Sequence, residues 1–410
     1  MRKTDKEVMN PEVVLPEDFE WMLRRRLLEE LQMNAGMTDR QVWELIDQLI
    51  MQERGRNYLS LVKMEELRKD LFYSVRRLDI LQELIDDPEV TEIMVNGYQH
   101  IFVEKEGRLQ QWHKHFISEE RLEDVIQQIA GRCNRVVNEQ HPIVDARLEN
   151  GARVNIVLPP VSLEGAILTI RRFPDEPITM KKLVRGGSLT EEAADFLALL
   201  VRAGYSILVG GGTSTGKTTF LNALTEFIPG DERIITIEDN AELQIRGISN
   251  LVRLEVKNAN IEENKEISMR DLIKTALRMR PNRIIIGEVR GAEAGDFLTA
   301  LNTGHDGSLG SAHANHVRDM IGRLEMMVLM GMDLPVEVIR RQIASGIEIL
   351  VHLNRDRQGR RCVEEIAEIT GMEAGEVCIQ TLYKRDAEGN LHREGELRNQ
   401  AKLRKTREGL

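Results

Sequence analysis

A glycine-rich segment, GGTSTGKT at residues 211–218, carries the clearest chemical signal in the sequence. It fits the pattern GxxxxGK[ST], follows the short apolar run SILVG (206–210) and precedes a predicted helix. Glycines let backbone N–H groups converge on phosphate oxygens, and the positive end of a helix adds attraction for an anion. The sequence therefore predicts a phosphate-binding loop between a strand and a helix.

The residue types of this loop suit a nucleoside triphosphate. We expect Lys217 to reach the β- and γ-phosphates and the Thr218 hydroxyl to ligate Mg²⁺. The alternative is a glycine-rich turn without a ligand, which the strand–loop–helix context disfavours. The residues expected to bind the cofactor ATP are Gly211, Gly212, Thr213, Ser214, Thr215, Gly216, Lys217, Thr218 and Thr219.

Two predicted strands downstream end in acidic residues. RIIIGE (283–288) ends in Glu288, where sheets with a phosphate loop place an acidic residue that holds Mg²⁺ directly or through water. In IITIEDNAEL (234–243), Glu238 is expected to accept the proton of the attacking water. The alternatives are an ordinary strand ending in glutamate and an acidic turn of an acidic protein. Glu238 and Glu288 are thus predicted to be catalytic, and Glu288 with Thr218 forms a predicted magnesium site.

Three histidines lie within TGHDGSLGSAHANH at residues 303–316. A metal site is one interpretation, but no cysteine joins the histidines and their spacing matches no usual zinc pattern. A neutral histidine beside a nucleotide can instead donate to the γ-phosphate and so report its presence. We predict this role for His313 and for His305, and we expect His316 to begin the next helix and to face solvent.

Four arginines lie in or next to predicted strands in the first half of the chain: Arg147, Arg153, Arg171 and Arg172. A guanidinium accelerates phosphoryl transfer when it neutralises transition-state charge, and another domain or subunit often supplies it. The alternative is that these arginines form ordinary surface ion pairs, and residue type alone favours that alternative.

The elements that must position these residues change in kind along the chain. Apolar residues at helical spacing predict a helical N-terminal bundle over residues 1–87. Short strand-like runs separated by turns predict an α+β domain over 88–173, and two prolines with a Gly-Gly pair predict a linker over 174–187. Strands alternate with helices over 188–383, which predicts a parallel sheet. A frayed basic tail is predicted over 384–410.

Composition narrows the class of protein. The chain has 410 residues, a formal net charge of −11, and 41% hydrophobic and 30% charged residues, which excludes wholesale disorder. No apolar run is long enough for a membrane span and no signal peptide is expected. Three cysteines without paired spacing suit a reducing cytoplasm. The acidic balance and the 4% aromatic content disfavour a protein that coats nucleic acid.

The order of these motifs resembles the secretion and pilus-assembly ATPases of the type II/type IV secretion superfamily, most of all the CpaF-like ATPases of Flp (tight-adherence, type IVc) pili. The likeness runs from about residue 60 to about residue 385. The stretches that carry it are EIMVNG (92–97), VDARL (144–148), LPPVSLEG (158–165), LTIRRF (168–173), GGTSTGKTT (211–219), TIEDNAEL (236–243), RMRPNRIIIGEVRG (278–291), NTGHDGS (302–308) and HANHVRD (313–319).

This resemblance implies an α/β fold class: a RecA-like P-loop ATPase domain with an N-terminal PAS-like α+β domain and a helical N-terminal extension. It implies a homo-hexamer that hydrolyses ATP with Mg²⁺ and powers pilus assembly or secretion through an inner-membrane platform protein. The chain would then lie in the cytoplasm, at the inner face of the cell membrane through its partners, without direct contact with nucleic acid. The alternative is the ATPase of a conjugation or DNA-handling type IV secretion system.

The resemblance also assigns roles to residues. The catalytic glutamate of the family's acidic box maps onto Glu238, the Walker B glutamate onto Glu288 and the His-box histidine onto His313. The arginines that contact the γ-phosphate map onto the four arginines above without distinguishing among them. Two motifs depart from the usual pattern of the family. The phosphate loop reads TSTGKT where relatives have TGSGKT. The His box reads LGSAHANH where relatives usually have Ser-Thr before the small residue and the histidine, and Asn-Ser after the histidine.

Overall fold

The structure, a computed structural model, describes residues 18–34, 36–54, 60–105, 108–133, 135–148, 151–172, 177–257, 266–356 and 358–408. The chain divides into two units, Met1–Asp175 and Glu176–Leu410, and each has its own hydrophobic cores.

Three helices open the first unit: α1 (Asp18–Met33), α2 (Asp39–Arg54) and α3 (Leu61–Arg76). A capping box begins α2, because the Thr38 N–H donates to Gln41 Oε1 (2.8 Å) and the Gln41 N–H to Thr38 Oγ1 (3.4 Å). Apolar side chains at helical spacing on all three helices form a small separate core. Residues 1–17 of the predicted bundle lie outside the described residues.

An antiparallel sheet completes the first unit, with strand order β3-β2-β1-β6-β5-β4. Buried residues alternate along its central strands, so one face packs under two helices and the other carries mainly polar side chains. The elements are α4 (Leu81–Asp86), β1 (Val90–Asn96), β2 (His100–Lys105), β3 (Arg108–Gln111), α5 (Glu119–Arg132), β4 (Ile143–Arg147), β5 (Arg153–Val157) and β6 (Ile167–Arg171).

The second unit alternates strands and helices as the sequence predicts. Its elements are α6 (Met180–Arg185), α7 (Glu191–Arg202), β7 (Ile207–Gly211), α8 (Lys217–Thr225), β8 (Arg233–Glu238), β9 (Asn250–Glu255), α9 (Met269–Ala276), β10 (Arg283–Val289), α10 (Glu293–Leu301), β11 (Leu309–His313), α11 (Val317–Gly331), α12 (Val336–Gly346), β12 (Ile349–Arg355), β13 (Arg361–Glu373), β14 (Glu376–Arg385), β15 (Leu391–Arg393) and α13 (Ala401–Glu408).

These strands form one nine-stranded sheet in the order β15-β14-β13-β12-β7-β11-β10-β8-β9. The strands from β12 to β9 run parallel, whereas β13, β14 and β15 add antiparallel pairs at one side. Every residue of β7 is buried, since α7 and α8 cover one face of the sheet and the helices from α9 to α12 cover the other. The carboxyl ends of β7, β8, β10 and β11 therefore meet at one edge, where open α/β sheets bind ligands.

Part of the predicted linker over 174–187 is helical. α6 lies within it, the Thr179 hydroxyl caps this helix by accepting the Lys182 N–H, and Met180 is buried in the core of the second unit. Residues 173–176 lie outside the described residues. The linker was predicted from two prolines and a Gly-Gly pair. In the chain these residues lie before and after one short helix, so part of the predicted linker is helical.

The tail predicted over 384–410 is not frayed where the structure describes it. It supplies β15 and α13, and Leu397 is buried among the apolar residues of the second unit. The Glu368 carboxylate, 1% exposed, accepts the backbone N–H groups of Arg398 and Asn399, both at 2.7 Å. Lys402 adds ion pairs with Asp306 (2.9 Å) and Glu348 (2.7 Å), so long-range contacts that composition does not reveal fix this segment.

Replacing Glu368 by alanine should lower the free energy of unfolding by about 3 kcal/mol, because it removes two charge-assisted hydrogen bonds and leaves two N–H groups without their acceptor. Chemical denaturation of the full chain measures this. Glu394→Ala, which removes an exposed carboxylate of the same segment, should change the stability by less than about 0.5 kcal/mol. Equal stabilities of the two variants would contradict the role given to Glu368.

Candidate nucleotide-binding site

The predicted phosphate loop joins β7 to α8 at the carboxyl edge of the sheet. Its backbone enters the left-handed region at Ser214 (φ 58°) and at Gly216 (φ 92°), which turns the chain back before α8 begins. A Cβ on Gly211 would lie 2.6 Å from Thr215 Oγ1 and 2.8 Å from the Leu353 carbonyl oxygen, so only glycine fits there. The loop is therefore curled tightly, as a cradle for phosphate requires.

Lys217 lies inside this loop and is only 8% exposed. Its Nζ donates to the carbonyl oxygens of Gly211 (3.2 Å) and Gly212 (3.0 Å). Burial is the main cause that lowers the pKa of Lys217, although the nearby Glu288 carboxylate acts in the opposite direction. An ammonium group held by two backbone carbonyls is placed to exchange them for phosphate oxygens, which bind it more strongly.

Glu288, near the end of β10, lies beside this lysine. Its Oε1 is 3.9 Å from Lys217 Nζ and 2.7 Å from His313 Nε2. Its Oε2 accepts hydrogen bonds from Arg290 Nε (2.9 Å) and Nη2 (2.6 Å). The structure thus brings three predicted site residues together, because β10 and β11 are parallel neighbours and β11 is in turn the neighbour of β7.

His313 bridges the lysine and the glutamate. Its Nδ1 lies 3.3 Å from Lys217 Nζ, while its Nε2 faces Glu288. We assign a neutral imidazole protonated at Nε2, because Nδ1 then accepts from the Lys217 ammonium group. Although Nε2 is close to Glu288 Oε1, that oxygen has no hydrogen-bond partner among the described residues. Burial is the main cause that lowers the pKa of His313; Glu288 opposes it, and the positive charges of Lys217 and Arg290 add to it.

Glu238 ends β8, the strand next to β10, and is 2% exposed. Its Oε2 accepts the N–H groups of Glu242 (2.7 Å) and Leu243 (2.9 Å), while its Oε1 has no hydrogen-bond partner among the described residues. Burial raises the pKa of Glu238, although the two backbone bonds act to lower it. A buried carboxylate with one oxygen unengaged is placed to accept a proton.

The remaining loop residues fit a nucleotide with Mg²⁺. Thr213 and Ser214 are exposed on the loop, while Thr218 and Thr219 are half-buried in the first turn of α8. Mg²⁺ is usually held by one or two protein oxygens together with substrate phosphates and water. The Thr218 hydroxyl and the Glu288 carboxylate are oxygen donors of this type, so the donor set fits the metal.

The structure places His305 away from the phosphate loop of its own chain. His305 precedes β11, whose residues from Leu309 to His313 pair in parallel with those from Ile207 to Gly211. It therefore lies at the amino end of the strand, at the edge of the sheet opposite the phosphate loop. Its Nδ1 faces the Ala300 carbonyl oxygen at 3.0 Å, at the end of α10.

The four predicted arginines separate into two groups. Arg147 pairs in register with Arg153, and Arg153 with Arg171, so these three form a row on one face of the first unit's sheet. Arg172 is different: its guanidinium donates to the carbonyl oxygens of Asp87 and Val90, where α4 ends and β1 begins. Arg172 therefore holds this turn, and a contact between Arg172 and phosphate stays a prediction.

Sequence reasoning missed two basic residues of the site. Arg290 follows Glu288 by two positions and also lies 3.4 Å from the Asp239 carboxylate, so the GEVRG motif contained a signal for it. His352, in β12, is 3% exposed, and its Nε2 lies 3.3 Å from the carbonyl oxygen of Ala314, directly after His313. Nothing near His352 in the sequence indicated this contact.

Stability should fall as the pH drops below about 6.5, in part because of His352. Burial is the main cause that lowers its pKa in the folded chain. As the pH falls, His352 therefore binds a proton in the unfolded chain at a higher pH than in the folded chain. The contribution of His352 to the free energy of unfolding is present above pH 6.5 and is lost as the pH falls towards its pKa in the folded chain. Denaturation at a series of pH values should show a shallower dependence for His352→Gln, by at most about 1.4 kcal/mol per pH unit. An unchanged slope would contradict this.

Comparisons of the sequence with known proteins identify its family. A sequence profile described as type II/IV secretion system protein matches residues 75–388. A putative conjugal transfer protein of Mycobacterium tuberculosis is 36% identical over 313 residues, which cover 75% of this chain and 88% of the relative. The type IV secretion system protein VirB11 of Brucella suis is 33% identical over 317 residues, which cover 70% and 88% of the two chains.

Solved structures show the same fold at lower identity. The pilus retraction motor PilT with bound ADP is 21% identical, with a TM-score of 0.52 over 81% of this chain and 87% of that one. The ATPase DotB of Legionella pneumophila is 21% identical, with a TM-score of 0.50 over 69% and 77%. Within the described residues, no helix is both long enough and apolar enough to span a membrane. The chain belongs to the type II/IV secretion system protein family.

Proposed function

We propose that the chain is a Mg²⁺-dependent ATPase that hydrolyses ATP at the carboxyl edge of the second unit's sheet. The observation that carries this proposal is the convergence of Lys217, Glu288 and His313 beside a tightly curled phosphate loop. Lys217 exchanges its two carbonyl partners for oxygens of the β- and γ-phosphates. Thr218 and Glu288 hold Mg²⁺, which neutralises charge on those phosphates when it is bound.

Glu238 is the proposed general base. Its unengaged Oε1 accepts a proton from the attacking water, whose oxygen bonds to the γ-phosphorus while the bond from that phosphorus to the β–γ bridging oxygen breaks. The raised pKa of Glu238 makes it a better base than an ordinary carboxylate. The Nε2–H group of His313, which faces Glu288 here, is the proposed donor to the γ-phosphate.

We further propose that the first unit supplies a guanidinium to the reaction. The cross-strand row of Arg147, Arg153 and Arg171 supports this, because it brings three guanidinium groups together on one face of the sheet, and a guanidinium is the group that neutralises transition-state charge in phosphoryl transfer. Glu92 lies directly opposite Arg171 at the end of this row. Arg153 has one weak partner in Asp145, at 3.7 Å. Single substitutions at each of the three positions would show which arginine of the row contacts phosphate.

The biological role that we propose is a homo-hexameric motor for Flp (type IVc) pilus assembly or secretion. It would have a PAS-like domain over residues 88–173 and would act in the cytoplasm on an inner-membrane platform protein. Supporting it are the sequence resemblance to CpaF-like ATPases and the names of two relatives, a secretion system protein and a pilus motor. The second candidate is a conjugation or DNA-handling ATPase, which the name of the mycobacterial relative favours. The net charge of −11 disfavours it.

Phosphate release by the full chain tests the proposal. With ATP and Mg²⁺ we expect steady release of phosphate, and a chelator of Mg²⁺ should abolish it. Mass measurement with and without nucleotide should show six copies. A rate that DNA stimulates in a salt-dependent manner would favour the conjugation candidate, whereas ATP binding without any release would contradict the enzymatic proposal.

A further inference from the structure

An arginine-rich hairpin borders the phosphate loop on the side away from His313. β12 runs parallel to β7 as far as the pair Leu353 and Gly211, while β11 lies on the other side of β7. β12 ends at Arg355, and β13 begins at Arg361 as its antiparallel partner; the two residues are the ends of the segment 355–361. That segment, RDRQGRR, contains four arginines and one aspartate. The phosphate loop therefore lies between Glu288 and His313 on one side and a cationic hairpin on the other.

Two contacts attach the hairpin to the loop. Arg355 Nη2 donates to the carbonyl oxygen of Ser214 at 2.9 Å, and Ser214 is a loop residue with positive φ. The Arg361 side chain lies against Gly216, since a Cβ on that glycine would be 3.2 Å from Arg361 Cδ. Gly216 is the residue that precedes the first turn of α8, where backbone N–H groups are available to phosphate.

The backbone of Arg361 is fixed in this place. Arg361 pairs in register with Arg355 across the hairpin, and its carbonyl oxygen accepts a hydrogen bond from Ser188 Oγ at 2.9 Å. A guanidinium carried by a paired strand loses less freedom on binding than one on an unsupported loop. Its planar fork of donors also matches the oxygens of a phosphate.

We propose that Arg361 binds the α-phosphate of the nucleotide. This inference rests on the proposed function, which places the γ-phosphate beside Glu288 and His313. Because a triphosphate is a linear chain and the loop encloses its middle, the α-phosphate must lie on the opposite side of the loop. That is the side on which Arg361 contacts Gly216.

The test is equilibrium binding of ADP and of a non-hydrolysable ATP analogue to the full chain, measured by calorimetry. Arg361→Gln should lower the affinity for both nucleotides by a similar factor of about 10 or more, because both nucleotides carry the α-phosphate. In steady-state hydrolysis the same variant should raise KM and leave kcat nearly unchanged, since the contact is equally present in substrate and transition state. Arg361→Lys should recover part of the affinity.

A matched control lies next to it in the sequence. Arg360 pairs with Asp356 within the hairpin (2.7 Å), so Arg360→Gln should bind both nucleotides as the unchanged chain does. Equal thermal unfolding of all variants without nucleotide shows that they fold. Wild-type affinity of Arg361→Gln for both nucleotides would overturn the inference, and so would a loss confined to the ATP analogue. Failure of the unchanged chain to bind either nucleotide would instead overturn the proposed function and this inference with it.

Discussion

Replacing Glu238 by glutamine should leave ATP bound and almost unhydrolysed. Glutamine keeps the shape of the side chain and an oxygen for the N–H groups of Glu242 and Leu243, but it cannot accept a proton from water. We expect kcat to fall by roughly 10²–10⁴, the range that a general base supplies. Gel filtration after incubation with labelled ATP and Mg²⁺ should recover ATP, not ADP, with the protein.

A neighbouring glutamate provides the control. Glu242 is in the same acidic segment, and only its backbone N–H bonds to Glu238, so Glu242→Gln should hydrolyse ATP at close to the normal rate. The assignment is wrong if Glu288→Gln retains ATP and Glu238→Gln does not. That result would identify Glu288 as the general base. The unengaged oxygen of Glu238 would then no longer support a catalytic role for Glu238.

Replacing Lys217 by alanine should abolish hydrolysis, with a fall of at least about 10³ in kcat/KM. Two carbonyl oxygens of the phosphate loop, those of Gly211 and Gly212, hold the Lys217 ammonium group. Its loss removes a charge-assisted contact that strengthens as charge develops on the phosphates. Phosphate release measures the loss, and circular dichroism should show an unchanged fold.

The matched control for this variant is another lysine of the second unit. Lys274 is exposed on α9, and its Nζ lies 3.9 Å from Asp296, so Lys274→Ala should leave turnover unchanged. Turnover by Lys217→Ala equal to that of the unchanged chain would exclude the loop as the site of chemistry, whatever its fold.

Much of the site could be predicted because the polarity of parallel strands fixes it. Once the phosphate loop follows β7, any residue at the carboxyl end of a neighbouring parallel strand must lie beside it. His313, at the end of the neighbouring β11, satisfies this condition. Glu288, near the end of β10, lies one strand further away, and Glu238, at the end of β8, lies one strand beyond that. Motif recognition and strand direction together were therefore sufficient to bring these three residues to one edge.

The positions of other residues depend on where a strand begins and on the face of the sheet to which a side chain points. The sequence contains little information about either feature. His305 and His313 lie in one motif, but β11 begins only at Leu309, so the strand separates them by its whole length. Arg171 and Arg172 are adjacent, yet one faces the arginine row and the other the turn after α4. Local spacing cannot decide either case.

Contacts between distant parts of the chain were beyond sequence reasoning for a different reason. Arg355 and Ser214 are 141 residues apart in the sequence. They are in contact because β12 pairs with β7 in the sheet. The packing of the C-terminal segment on Glu368 depends in the same way on a long-range pairing. Composition predicted a frayed basic tail for the C-terminal segment, whereas its position follows from the strand order.

The central claim is that this edge of the sheet cleaves the β–γ phosphate bond of ATP. A single-turnover experiment tests it most directly: the full chain in excess over ATP labelled at the γ-phosphate, started by Mg²⁺, with products separated at successive times. We predict that bound ATP converts to ADP and free phosphate in one phase that requires Mg²⁺ and is absent from Lys217→Ala. Bound ATP that stays intact in the unchanged chain, or conversion that persists in Lys217→Ala, would contradict the account.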